Sequence, residues 1–119
     1  MPPSEKVLIV EYNMRNLELI TGFLRGEGYE VTGAATMEEL DEILKAPGMI
    51  GLALIDLVGF DQRIWERSEI LREMNIPFII ISLVKTAALG RGECAVLLKP
   101  LVVKDMLSIV STFFQEAAR

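Results

Sequence analysis

Glu11, Asp56, Ser82 and Lys99 could do chemistry together. Two carboxylates, a hydroxyl and a lysine form a set able to bind a cation and a phosphoryl group. Each closes a short, nearly unbroken apolar run: 6–10 (KVLIV), 51–55 (GLALI), 78–81 (FIII) and 94–98 (CAVLL). Such runs, bounded by turn residues, read as strands buried on both faces. In open α/β sheets ligands gather beyond the carboxyl ends of the strands, where all four residues would stand if the strands are parallel. Plainer readings exist for each. Asp56 could cap nearby backbone, Lys99 could snorkel its charge past an apolar stem, and Ser82 could be a turn hydroxyl. Glu11 and Tyr12 could form a solvated rim.

The elements that would position these residues alternate along the chain. After the first strand, Asn13 can cap a helix whose Met14, Leu17, Ile20, Phe23 and Leu24 recur at helical spacing. Gly26 to Gly28 ends it, and Tyr29 to Ala34 carries a strand signal weakened by Gly33. Thr36 and Glu39 form a capping-box pattern opening a helix with Leu40, Ile43 and Leu44 on one face; Pro47-Gly48 stops it. The strand ending at Asp56 follows. Asp61 is placed to cap a third helix, with Ile64, Leu71 and Met74 inward and Trp65 off that stripe, either half-buried against a neighbour or serving as a partner anchor. After the fourth strand, residues 83–93 have room for a helical turn or two at most. Cys94, read as a small buried hydrophobe, starts the fifth strand, and residues 102–116 form the last helix.

Five strands alternating with helices imply a parallel sheet with helices on both faces and right-handed crossovers. The 119 residues suffice for one domain, 1–119, with a real core. A net charge of −5 argues against nucleic-acid binding, which needs a basic footprint. No apolar run approaches the ~20 residues of a bilayer span, and the N-terminus has no signal-peptide pattern. A single cysteine fits a reducing, cytoplasmic setting. With no histidine, histidine catalysis and histidine metal ligation are excluded.

In order, 6–11 (KVLIVE), 28–31 (GYEV), 54–56 (LID), 77–82 (PFIIIS) and 97–100 (LLKP) resemble the receiver domain of two-component response regulators over about residues 6–116. The resemblance implies a flavodoxin-like, doubly wound five-stranded sheet of order 2-1-3-4-5, with Glu11 and Asp56 neighbours at the topological switch point. It implies a signalling module and not an enzyme. Asp56 would be the phosphoacceptor, served by a histidine kinase or phosphotransfer protein. Ser82 and Lys99 would bind the phosphoryl group. Glu11, Asp56 and the backbone carbonyl of Val58 would hold Mg²⁺. The Lys99–Pro100 bond would be cis.

The chain departs from that pattern around the site. Tyr12 stands where a second acid is usual, so the resemblance implies Mg²⁺ binding that is weak or absent. Phe60 replaces the usual Pro, Arg63-Ile64 the usual Asp-Gly, Leu83 a small Ala, and Val96 the aromatic switch residue. The interval from Ser82 to Lys99 is short, so the fourth helix should be shortened or missing. Two functions follow: a receiver phosphorylated on Asp56 with an altered metal site, or a pseudo-receiver that acts as a protein–protein interaction module regardless of phosphate. A small-ligand flavodoxin-like domain is more distant, because residues 12–15 (YNMR) make a poor phosphate cradle. The last helix, with Val102, Val103, Met106, Leu107, Ile109, Val110, Phe113 and Phe114, has more apolar surface than one stripe needs. It offers a surface for a homodimer.

Overall fold

The computed structural model describes residues 5–83 and 92–117. Its strands are β1 (Lys6–Val10), β2 (Val31–Ala34), β3 (Ile50–Asp56), β4 (Phe78–Ser82) and β5 (Ala95–Leu98). Its helices are α1 (Met14–Gly26), α2 (Met37–Lys45), α3 (Arg63–Glu73) and α4 (Val103–Ala117). All strand pairs are parallel, and the order is β2-β1-β3-β4-β5. The doubly wound α/β fold and its strand order are those expected. Among the described residues no helix lies between β4 and β5. Most of the 83–93 interval lies outside the described residues.

Strand periodicity divides the core in two. Leu8 and Val10 of β1, with Ala53 and Ile55 of β3, face Leu40 of α2 and Ile64 and Leu71 of α3. Val7, Ile9, Leu52 and Leu54 face the opposite way, against Leu17, Ile20 and Leu24 of α1 and Met106 and Val110 of α4. Because successive side chains point to opposite faces, a strand covered on both sides must be apolar throughout. All seven residues of β3 are buried. Gly33 lets α1 come close to β2, since a Cβ there would meet Leu17 Cδ1 at 2.9 Å.

The helix starts largely follow their sequence signals. Asn13 Oδ1 accepts from the Asn16 N–H at 3.0 Å. Thr36 Oγ1 accepts from the Glu39 N–H at 3.0 Å, while Glu39 Oε1 turns back to the Ala35 N–H at 2.8 Å, one residue ahead of the usual box. Asp61 lies one residue outside the cap position, which Gln62 occupies in helical conformation without a side-chain bond. Asp61 Oδ1 still receives the Arg63 N–H at 2.9 Å.

Several expectations need correction. β2 begins at Val31 and not at Tyr29. Cys94 precedes β5 and is exposed, because β5 is an edge strand and its first residues lack a covering neighbour. Met14 and Phe23 lie outside the buried stripe of α1, whose buried residues are Leu17, Ile20 and Leu24. Trp65 is half-buried against the α2–α3 side of the core. The apolar excess of α4 is mostly used within the fold: Leu107, Ile109, Phe113 and Phe114 pack on the core, and Phe114 stacks on Tyr29 at 5.5 Å. Leu98 of β5 and Val102, just before that helix, remain exposed.

Candidate functional site

The strand order brings three of the four chemistry-bearing residues to one point. β1 and β3 are neighbours, with Val10 in register with Ile55, so Glu11 and Asp56 leave the sheet side by side. β4 lies on the other side of β3, pairing Asp56 with Ile81, and β5 follows with Ser82 opposite Leu98. Backbone bonds pin each exit. The Glu11 N–H donates to the Ala34 carbonyl at 2.9 Å, the Leu57 N–H to Ile81 at 3.1 Å, and the Lys99 N–H to Ser82 at 2.9 Å. The Lys99–Pro100 bond is cis.

Asp56 is 1% exposed. Its Oδ1 accepts from the Val58 N–H at 3.0 Å, and its Oδ2 lies 2.6 Å from Lys99 Nζ. Glu11 is buried beside it, and Glu11 Oε2 accepts from the Asn13 N–H at 3.3 Å. Burial first, then a hydrogen bond to Asp56 and repulsion from its charge, push the Glu11 carboxyl up from 4.5 to about 7; the Asn13 N–H and Lys99 oppose the rise. Two buried acids sharing one lysine cannot both ionise freely, so a proton on Glu11 supplies the missing compensation. Ser82 is also buried, at the end of β4.

Tyr12 does not contribute a ligand to this group. Its ring lies over Gly59, where a Cβ would meet Tyr12 Cγ at 2.5 Å, and meets Phe60 edge-on at 6.3 Å. Gly59 has φ +90, a conformation that glycine adopts without penalty. Tyr12 and Phe60 thus join the loop after β1 to the loop after β3. The substitutions at 12 and 60 were visible in the sequence, but their contact was not, because it depends on how the two loops turn.

The oxygen donors fit a divalent cation thinly. They are the Glu11 and Asp56 carboxylates, with Asp56 ion-paired to Lys99 and Glu11 about half-protonated near neutral pH. Among the described residues no cluster of three His, Cys, Asp or Glu side chains could hold a metal ion.

No protein-family profile matches the chain, and no curated protein matches it. Solved structures do match it. A response regulator receiver domain protein (CheY-like) from Methanospirillum hungatei JF-1 is similar with a TM-score of 0.81 at 24% identity, covering 94% of each chain. A two-component response regulator from Clostridium difficile gives a TM-score of 0.86 at 20% identity, covering 98% of this chain and 100% of the other. A Francisella response regulator receiver domain gives 0.80 at 21% identity, over 96% and 99% of the two chains. The chain has the fold of response regulator receiver domains.

Proposed function

We propose that residues 1–119 form one receiver-type signalling module whose Asp56 accepts a phosphoryl group from a histidine kinase or phosphotransfer protein. The observation that carries this reading is the buried Glu11–Asp56 pair with Lys99 Nζ 2.6 Å from Asp56 Oδ2 at the carboxyl edge of the sheet. In the transfer an Asp56 oxygen attacks phosphorus. The P–N bond of the donor phosphoimidazole breaks with its electron pair returning to the ring nitrogen, leaving an acyl phosphate. Lys99 is within reach of the charge that develops, and the Ser82 hydroxyl is the nearby strand-end donor for a phosphoryl oxygen. Glu11, Asp56 and the Val58 carbonyl are the groups that would hold Mg²⁺. When bound, that ion would offset phosphoryl charge, and the thin donor set makes its affinity low. The module carries signals rather than turning over a substrate. Among the described residues no helix is long and apolar enough to cross a membrane; the cytoplasmic setting of this reading rests on the kinase partner it names.

A second reading is supported by Tyr12, which occupies the place of an acid and is spent on Gly59 and Phe60. In it the chain is a pseudo-receiver that binds its partner, or a second copy of itself beside α4, without phosphate. Labelling with acetyl phosphate and Mg²⁺, read by intact mass with Asp56→Asn as control, separates the two. A gain of one phosphoryl group lost in Asp56→Asn supports the first reading, and no gain at saturating Mg²⁺ supports the second.

A further inference from the structure

The turn that follows β3 is held from two sides. From within, Asp56 Oδ1 accepts the Val58 N–H at 3.0 Å, an aspartate bonding backbone two residues on. The Phe60 N–H donates to the Leu57 carbonyl at 3.3 Å and closes the turn. Gly59 has φ +90 at its third position, where a turn of this kind calls for glycine. From outside, the Tyr12 ring rests on Gly59. A Cβ there would lie 2.5 Å from Tyr12 Cγ and 2.6 Å from Tyr12 Cβ, so any other residue at 59 would displace the ring.

Tyr12 is 59% exposed, so the ring does not fill the core. Its chain neighbours are fixed. The Glu11 N–H is bonded to Ala34, the Asn13 N–H to Glu11 Oε2, and Asn13 caps α1. The ring is thus an arm of an anchored segment laid across the turn. That turn sets the orientation of Asp56. The carboxylate torsion of an aspartate is intrinsically broad, and the Val58 N–H fixes it, with Oδ1 on the backbone and Oδ2 2.6 Å from Lys99 Nζ. The two oxygens then differ in use. A backbone N–H in a clamped turn cannot follow a departing oxygen, whereas the lysine head sits on a flexible stem and can move.

We propose that Tyr12 is a positioning residue for Asp56: its ring, seated on Gly59, holds the turn that delivers the Val58 N–H to Oδ1, and so reserves Oδ2 for phosphorus. The use of this geometry rests on the signalling reading above; the geometry itself does not. In the transfer Oδ2 forms the bond to phosphorus as the P–N bond of the donor breaks, its electron pair going to nitrogen. Lys99 moves to the phosphoryl oxygens. Oδ1 becomes the carbonyl oxygen of the acyl phosphate and keeps the Val58 N–H.

The test compares the whole chain with Tyr12→Ala, Tyr12→Phe, Asp56→Ala and the Tyr12→Ala/Asp56→Ala double variant, each shown to be folded by thermal melts. The first readout is solvent exchange of the Val58 amide by ¹⁵N–¹H NMR. Tyr12→Ala and Asp56→Ala should each speed it at least about tenfold, and Tyr12→Phe should leave it unchanged. The double variant should be little faster than either single one, because both remove the same bond. The second readout is the rate of acetyl phosphate labelling in excess Mg²⁺, followed by intact mass. It should fall about tenfold in Tyr12→Ala, as expected of a misplaced nucleophile, and be kept in Tyr12→Phe. Unchanged exchange in Tyr12→Ala, independent multiplication of the two effects on Val58, or equal labelling of wild type and Tyr12→Ala would overturn the proposal. A wild type that takes no label refutes the signalling reading, and the coupling at Val58 then decides on its own whether Tyr12 positions Asp56.

Discussion

Lys99 Nζ and Asp56 Oδ2 are 2.6 Å apart, in a pair whose carboxylate is buried and whose lysine is largely so. The pair joins the ends of β3 and β5, although β4 lies between those strands. Removing one partner from a buried pair leaves a charge without compensation, and that costs more than the pair itself contributes. Lys99→Met should therefore lower unfolding free energy by about 2–4 kcal/mol at neutral pH. Lys99→Met combined with Asp56→Asn should recover most of the loss. Urea denaturation of the four forms checks this; strictly additive effects would show that the contact is not coupled.

Glu11 makes stability depend on pH. Its folded pKa is raised from 4.5 to about 7, so between those values the folded chain holds a proton that the unfolded chain has released. The sign is the reverse of that for a salt-bridged acid. The contribution is fully present below the unfolded value and is lost as pH rises through about 7. At 1.36 kcal/mol per unit the loss is about 3 kcal/mol. Glu11→Gln carries no such titration, so the wild type should lose stability relative to the variant across that window. Parallel denaturation curves at each pH measure the difference, and a constant difference would exclude a raised Glu11 pKa.

Tyr12→Asp is expected to strengthen Mg²⁺ binding. The change adds an acid beside Glu11, and one added charge at an effective dielectric near ~20 is worth a few kcal/mol at most. The ring it removes lies on Gly59 and Phe60, so the same variant should loosen the loop after β3. Trp65 fluorescence during a Mg²⁺ titration gives the midpoint. A midpoint no lower than that of the wild type would mean that charge does not limit affinity.

The strands were legible in the sequence because burial on both faces writes itself as continuous hydrophobicity, and strand ends locate the residues just beyond them. Glu11, Asp56, Ser82 and Lys99 were therefore placed from the sequence. What was not legible depends on tertiary packing. Met14 and Phe23 fit helical spacing as well as Leu17 and Ile20 do, yet only contact with the sheet decides which edge of that arc is covered. Ser68 looks like a surface residue but is buried, its hydroxyl donating to the Trp65 carbonyl at 2.8 Å. Cys94 differs from a core residue only by lying one position before an edge strand.

Self-association is best probed at Val102. Ile109 is half-buried against the core, so a glutamate there would disturb the fold as well as any contact between copies. Val102 is 53% exposed, and Val102→Glu should change stability by no more than about 0.5 kcal/mol. If copies meet beside α4, sedimentation should show a dimer in the wild type and a monomer in that variant. A wild-type monomer at high concentration would remove the homodimer from the proposed partners of the isolated chain.

The response to phosphorylation should be local. In a switching receiver, movement of the strand-four hydroxyl toward the phosphoryl group makes room for an aromatic ring to turn inward, as the resemblance implies. Ser82 is buried at the end of β4, but Val96 has no ring and its β-branched side chain is stiff at χ1. Val96 packs instead on the α2–α3 side of the core. A phosphoryl group can shift a conformational equilibrium only through contacts that differ between the two states, and without the ring the largest of these differences is missing. Beryllofluoride with excess Mg²⁺ should therefore shift amide resonances near Glu11, Asp56 to Phe60 and Ser82, and leave β5 and α4 nearly unmoved. Partner affinity should be nearly the same for wild type and Asp56→Asn. Large shifts through β5, together with a change in affinity above about tenfold (~1.4 kcal/mol), would show instead that a switch operates without an aromatic residue at position 96.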